Sequence, residues 1–280
     1  MGLENSLFSH LENDENVIPL TLQYRMNDDI QAMANFLTYN NQLECGSEQV
    51  AKRTLLAFDD MNTNNETWMS KIVDTNIETS VVFVDTTGLG PMERQDDAGI
   101  CNDVEAEIVV QIYDRLKKLS TSSDRHTSPT IGVIAPYRSQ VSNLRKCLSK
   151  LVDDPSTVNT VDQFQGRDQD VIIYSCTRCR PKIVDEKASN EKSIDILSDR
   201  RRLNVAVTRA KVGFCFNRMC WSKLWKAYIL LHWSFIGSLS RWVKADEDTS
   251  HKKWSNRDSL KYDVNFFSVP DYWLDNHCKT

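Results

Sequence analysis

The sequence predicts an α/β fold in which helices cover both faces of a parallel sheet, followed by an aromatic-rich C-terminal tail. Two observations carry that expectation. From Val17 to about Phe216, apolar runs alternate with amphipathic helical stretches. The apolar runs are also nearly continuous, as strands are when both faces of the sheet are covered.

The elements follow in order. VIPLTL is a strand candidate ending at Gln-Tyr-Arg-Met, residues 23–26. Asn27 is placed to cap a helix over DDIQAMANFL. Residues 40–80 are polar and weakly periodic, and read as an insertion with short elements. VVFVDT (81–86) is a buried-strand candidate, and residues 86–101 form a second loop-rich insertion. Asn102 and Glu105 resemble a capping box opening a helix with Val104, Ile108, Ile112 and Leu116 on one face. TSSDRHTSP reads as a turn-rich linker. IGVIAP is a strand, followed by a helix presenting Val141, Leu144, Leu148 and Leu151. TVNTVD and DVIIYSC are two more strands, separated by FQGRDQ.

The segment Asp199–Lys211, DRRRLNVAVTRAK, is helix-length and carries an apolar stripe. Arg202 and Arg209 stand seven residues apart, about two turns, which predicts nearly the same helical face. A forked guanidinium on a rigid helix suits a phosphate whose charge grows during transfer. Ligands in parallel sheets bind at the carboxyl ends of the strands. Arg25, Asp162–Asp168 and Arg209 each flank a strand end, so they are candidates to converge on one edge.

Composition sets bounds. With 26% charged and 40% hydrophobic residues, the 280-residue chain has a globular composition. A formal charge of −5 argues against a generally basic, nucleic-acid-coating surface and leaves room for a local basic groove. The polar, acidic N-terminus does not read as a signal peptide. Eight scattered cysteines suit a reducing, intracellular compartment. Cys176 and Cys179 form a lone CxxC, so neither a metal nor an iron–sulfur site is expected. Six of the seven tryptophans lie beyond residue 217, which sets off residues 216–280 as a divergent tail, helical or partly disordered. Within it, WSKLWKAYILLHWSFIGSL is interrupted by Lys223, Lys226 and His232, so a packed or interfacial helix is expected in place of a membrane span.

Four segments, in order and spacing, resemble the second RecA-like domain of superfamily 1 helicases: LTLQYRM (20–26), IGVIAPYRSQ (131–140), VNTVDQFQGRDQDVIIYSCTR (158–178) and RRLNVAVTRAK (201–211). The resemblance covers roughly residues 1–215. Within the superfamily they look like the branch that holds the nonsense-decay RNA helicases and the eukaryotic DNA replication ATP-dependent helicase/nucleases. LTYNNQLECGS (37–47) and QGRD favour the helicase/nuclease side.

The resemblance implies roles residue by residue. Arg25 and Arg209 match the two arginines that reach the γ-phosphate, where they oppose developing charge. Tyr24 resembles the aromatic that packs near the nucleotide base or ribose, while Gln23 reads as structural. Gln165, Gly166 and Asp168 match a nucleotide-sensing loop, in which Gly166 permits a tight backbone and Asp168 accepts from a ribose hydroxyl or holds an arginine. Arg202 joins this nucleotide-binding set. Thr160 and Val161 match contacts to the phosphates of single-stranded DNA, and Pro136, Tyr137 and Gln140 sit where the family approaches that strand. Such contacts are independent of sequence and sensitive to salt. Asp162 is a candidate partner for Arg167 or Arg209. Glu105 and Glu107 read as a cap and a solvated face.

The sequence contains no G-x-x-x-x-G-K-[ST] loop, and GLGPMER (88–94) lacks its lysine and spacing. No Asp-Glu strand end, nuclease constellation or cluster-cysteine set stands out either. The resemblance places those parts N-terminal to QYRM. It also breaks after TRAK, where VGFCFNRMCW departs from the family's final apolar strand. The chain is therefore expected to be the C-terminal half of an ATP-dependent 5′→3′ DNA helicase of the helicase/nuclease kind, inactive alone. ATP and Mg²⁺ would be held mainly by an N-terminal RecA-like domain. The implied partners are single-stranded DNA, that domain and a nuclease domain, and the implied location is the nucleus, with mitochondrion or cytoplasm as alternatives. Two other readings stand beside it: a non-catalytic nucleic-acid- or protein-binding module derived from a helicase, and an RNA helicase fragment.

Overall fold

A computed structural model describes residues 17–55, 72, 80–85, 93–96, 99–118, 129–178, 200–218, 241–244, 246–247 and 262–263. Residues 121–128 of the expected linker, the expected helix over residues 221–239 and most of the tail lie outside the described residues, as do 56–71 and 73–79 of the first insertion and 86–92 and 97–98 of the second.

The chain enters through a short strand β1 (Leu22–Gln23), shorter than the VIPLTL strand expected. Helix α1 (Asp28–Ala34) follows, with the Asn27 side chain accepting from the Ile30 amide as its N-cap. A π-helical turn (Asn35–Tyr39) ends it, and β2 (Glu44–Cys45) pairs parallel with β1. Helix α2 (Glu48–Ala51) opens on Ser47, whose side chain accepts from Val50.

The main sheet is built from β3 (Val81–Asp85), β6 (Ile131–Ala135), β7 (Val158–Thr160), β8 (Gln169–Ser175), β9 (Ala210–Arg218) and β10 (Arg241–Lys244). Its order is β10-β3-β9-β8-β6-β7, and every neighbouring pair is parallel. The expected parallel sheet is present, and β9 corrects one expectation. VGFCFN, read from the sequence as a break in pattern, lies inside a nine-residue strand at the centre of the sheet. It alternates because its two faces pack on different layers. Cys215 joins the core under one face and Phe214 the core under the other.

On the first face lie α3 (Asp103–Lys118) and α4 (Arg138–Leu148), whose Val104, Ile108, Ile112, Leu116, Val141, Leu144 and Leu148 are all buried. On the second lie α1 and α5 (Arg200–Val207), packing Ile30, Leu37, Leu203 and Val207 against Ile172, Tyr174 and Phe214. The second insertion holds an antiparallel ribbon, β4 (Glu93–Asp96) and β5 (Gly99–Asn102), in place of a plain loop.

Asn102 caps α3 by accepting from the Glu105 amide. Glu105, however, does not return the bond of a capping box. Its carboxylate is fully buried and accepts from the Ser175 hydroxyl at 2.6 Å and the Thr177 amide at 2.7 Å. Thr177 has φ 71°, rare for a β-branched residue, and the Arg178 amide donates to the Cys176 carbonyl across it at 2.8 Å. Glu105 therefore holds a strained turn at the carboxyl end of β8.

Candidate nucleotide-facing arginine centre

The QYRM bend is shaped by Gln23. Its side-chain Oε1 accepts from the amides of Arg25 and Met26, both at 2.8 Å, and its Nε2 donates to Met26 O and Gln31 Oε1, both at 2.7 Å. The Asn27 amide then donates to the Lys211 carbonyl at 3.0 Å, tying this bend to the start of β9. Arg25 is thereby delivered across 143 residues of sequence to Asp168, with Nε 3.3 Å from Oδ2. Its Nη1 donates to the Thr208 carbonyl at 3.1 Å.

Arg209 arrives by a different route from the one the spacing predicts. Helix α5 stops at Val207, so Arg209 is not on the helix and does not share a face with Arg202. It sits in the turn before β9, where Nε donates back to the Val205 carbonyl at 3.1 Å and caps the helix C-terminus. Its Nη2 donates to Thr208 Oγ1 at 3.1 Å and its Nη1 to the Arg167 carbonyl at 3.3 Å. Arg202, at the far end of α5, pairs with Asp162 at 3.2 Å. Asp162 thus holds neither Arg167 nor Arg209 in the described contacts. Arg167 donates to the Ser156 carbonyl.

Asp168 joins Arg25 to Lys211, whose Nζ is 3.3 Å from Oδ1. Between Gln169 and Val171 the register shifts, two steps of β8 facing three of β9, from Ala210 to Gly213. This bulge at the strand entrance accompanies Lys211 in its approach to Asp168 and, at 4.0 Å, to Asp170. Sequence reasoning missed Lys211 and Thr208. The signal is their position inside RRLNVAVTRAK, on either side of Arg209.

The position of the centre also differs from expectation. Asp168 precedes β8, and Arg209 precedes β9, so the cluster lies at the amino ends of the strands. The carboxyl ends carry a different group. Ala135 pairs with Thr160, so Pro136 and Val161 leave the sheet side by side. Tyr137 accepts at its hydroxyl from Arg178 Nε at 3.1 Å. Thr160 and Val161 are buried, with Thr160 Oγ1 accepting from the Gln163 amide at 3.4 Å. Gln140 does not join this surface. It is fully buried, accepts from the Asn102 amide at 2.8 Å and donates to Ser175 Oγ at 3.0 Å.

The 161–168 loop runs from the carboxyl end of β7 to the amino end of β8. Phe164 anchors it by packing on Gly132, where an added Cβ would come within 2.6 Å of the Phe164 ring. Gly166 has φ 85°, the tight backbone its identity predicts, and Gln165 and Gly166 are both exposed. Tyr24 is 63% exposed and lies against Gly46, whose added Cβ would meet the Tyr24 ring at 2.3 Å.

Electrostatics define what this centre lacks. Burial, and then the positive charge of Arg25, draw the Arg209 guanidinium below its usual range, while Asp168 and Tyr39 act the other way. Two guanidiniums thus repel each other across a site with one shared carboxylate. A multiply charged anion at that point would relieve the repulsion, so the residues fit the outer phosphates of a nucleotide. Among the described residues, no group of three or more His, Cys, Asp or Glu side chains is placed to hold a metal ion.

Residues 3–216 match the family described as an AAA domain. The chain belongs to that family. The chain is 37% identical over 221 residues to the DNA replication ATP-dependent helicase/nuclease DNA2 of Xenopus laevis, covering 75% of this chain and 20% of the relative. It is 34% identical over 224 residues to the human protein of that name, covering 75% of this chain and 19% of the relative. The Saccharomyces cerevisiae protein is 34% identical over 221 residues, with 75% and 14% covered. The chain therefore spans about a fifth or less of the length of these relatives, and the sequence resemblance to the superfamily 1 helicase/nucleases holds. No helix among the described residues is long and apolar enough to cross a membrane.

Proposed function

We propose that this chain is the C-terminal RecA-like half of an ATP-dependent 5′→3′ DNA helicase of the helicase/nuclease kind, acting in DNA replication and repair in the nucleus. The convergence of Arg25 and Arg209 on one anion-seeking centre, from positions 184 residues apart in sequence, is the observation that carries this reading. The relatives' names as DNA replication helicase/nucleases favour DNA over RNA.

In this reading Arg25 and Arg209 face the γ-phosphate of ATP and oppose the charge that develops as it leaves. Tyr24, resting on Gly46, presents an exposed ring for the base or ribose. Asp168 orients Arg25 and Lys211, and Gln165 and Gly166 line the loop that ends at Asp168. Arg202 acts further away, through Asp162. ATP and Mg²⁺ bind mainly to a partner RecA-like domain with a phosphate loop, since this sequence has none. When bound, the ion polarises the phosphates and holds them for attack by water. At the opposite sheet edge Pro136 and Tyr137, with the Thr160 hydroxyl and the Val161 backbone amide, approach the single strand.

Placing the two groups at opposite ends of one sheet suits a motor. Closure onto phosphate at one edge moves the strand-facing edge as part of the same rigid layer. DNA-stimulated phosphate release by the purified chain should be negligible, and robust turnover abolished by Arg209→Ala would overturn the proposal. With a complementary phosphate-loop domain present, loss of either arginine should lower turnover about 10³-fold or more. Affinity for single-stranded DNA should fall steeply with salt. Salt-insensitive binding of a protein partner in its place would favour a non-catalytic module.

A further inference from the structure

We propose that Thr208 is the positioning residue for both arginines, setting their separation and direction toward phosphate; this rests on reading Arg25 and Arg209 as phosphate-facing. Thr208 meets them with different atoms. Its carbonyl oxygen accepts from Arg25 Nη1 at 3.1 Å, and its hydroxyl oxygen accepts from Arg209 Nη2 at 3.1 Å.

A hydroxyl has one proton to give and two lone pairs to receive with. Thr208 Oγ1 lies 2.8 Å from the Asn204 carbonyl, with the Val205 carbonyl at 3.2 Å, so its proton is spent on the last turn of α5. The lone pairs are then left for Arg209. This bond into the preceding turn is the one that a threonine at a helix end makes readily, and β-branching restricts the rotamers about it. Thr208 is 6% exposed, so the arrangement is shielded from competing water.

The same turn fixes the other partner. The Arg209 amide donates to the Ala206 carbonyl at 3.2 Å, which orients the 208–209 peptide, and the Thr208 carbonyl of that peptide points at Arg25. One residue thus grips two guanidiniums whose own charges push them apart. Arg209 keeps further bonds to the carbonyls of Val205 and Arg167, so losing the hydroxyl would free one guanidinium nitrogen without releasing the side chain.

The test uses the full 280-residue chain with Thr208→Val, Thr208→Ser and Arg209→Ala, and inorganic tripolyphosphate as the probe in low-salt calorimetry. Thr208→Val should weaken binding about tenfold, the loss of one hydrogen bond to a charged group. Thr208→Ser should stay near the unsubstituted chain, and Arg209→Ala should lose more than either. A second readout separates positioning from packing: side-chain nitrogen NMR of the arginines. Hindered rotation of the Arg209 Nη2 group should persist in Thr208→Ser and vanish in Thr208→Val, while Nη1, held by the Arg167 carbonyl, and Arg25, held by a backbone carbonyl, keep their signals. Should Thr208→Val not fold, Thr208→Ala is read in the same way. Unchanged Arg209 signals in Thr208→Val, or tripolyphosphate binding equal to the unsubstituted chain while Arg209→Ala loses it, would overturn the role of Thr208 alone. Equal binding by Arg209→Ala and the unsubstituted chain would remove the phosphate-facing role of the arginines, and the role of Thr208 with it.

Discussion

Asp168 stands between Arg25 and Lys211, with one carboxylate oxygen 3.3 Å from each cation. Burial works against its ionisation, but Lys211 and then Arg25 outweigh that, and the carboxyl is held below its ordinary value. A carboxyl depressed in the folded state stabilises the fold at pH values above its unfolded pKa. That contribution is lost as the pH falls through the folded value, below about 3.9. Asp168→Asn should therefore melt slightly lower than the unsubstituted chain at neutral pH, with the gap closing under acid. A gap that widens as pH falls would contradict the pairing. The effect should be small, since both side chains of the Arg25 pair are more than a third exposed.

Glu105 and Gln140 lock the carboxyl edge of the sheet from within. Gln140→Met should cost about 1–3 kcal/mol of stability, because the buried Asn102 amide loses its acceptor. Denaturant titration reads that cost. Single-strand affinity, measured where the variant is fully folded, should be unchanged. A loss of affinity without a loss of stability would return Gln140 to the strand-contacting group.

Gly132→Ala drives a methyl group into the Phe164 ring and the Ile172 methyl, which lies 2.8 Å from the added Cβ. Overpacking of this kind costs about 1–3 kcal/mol. Because Phe164 anchors the loop that ends at Asp168, proteolysis at Arg167 should quicken in the variant. Unchanged cleavage alongside lowered stability would mean that the loop is held by other contacts.

The thiols of Cys45 and Cys215 are both pushed up to about 12, chiefly by burial. Cys45 also sits in the field of Asp28. A raised thiol pKa leaves the unreactive neutral form in place through pH 8. Alkylation at pH 8 followed by peptide mapping should spare both residues until the chain is unfolded. The Cys45 thiol accepts from Gln23 Nε2 at 3.0 Å and donates to Gln31 Oε1 at 3.1 Å, and rapid native labelling of Cys45 would show that this cluster opens.

The sequence by itself determined the layers. Near-continuous apolar runs gave the strands, the i, i+4 stripe from Val104 to Leu116 gave a helix buried along one face, and Asn27 and Asn102 capped where their side chains predict. It also singled out Arg25, Arg209 and Asp168, because four short segments in fixed order carry chemistry that single residues do not. Periodicity misjudged two places. The alternation in VGFCFN was mistaken for a broken pattern, because a central strand between two unlike cores need not be uniformly apolar. Helical spacing was extended from Arg202 to Arg209, although the chain turns after Val207 to enter the sheet.

Tertiary structure decided the rest. Which edge of a parallel sheet a loop occupies depends on whether it leaves one strand or enters the next, and hydrophobic pattern is blind to that direction. Only the packed sheet puts Arg25, Asp168 and Arg209 at the amino ends of the strands and Tyr137 and Thr160 at the carboxyl ends. The role of Thr208 likewise exists only in three dimensions, since its carbonyl and hydroxyl meet partners 183 residues and one residue away.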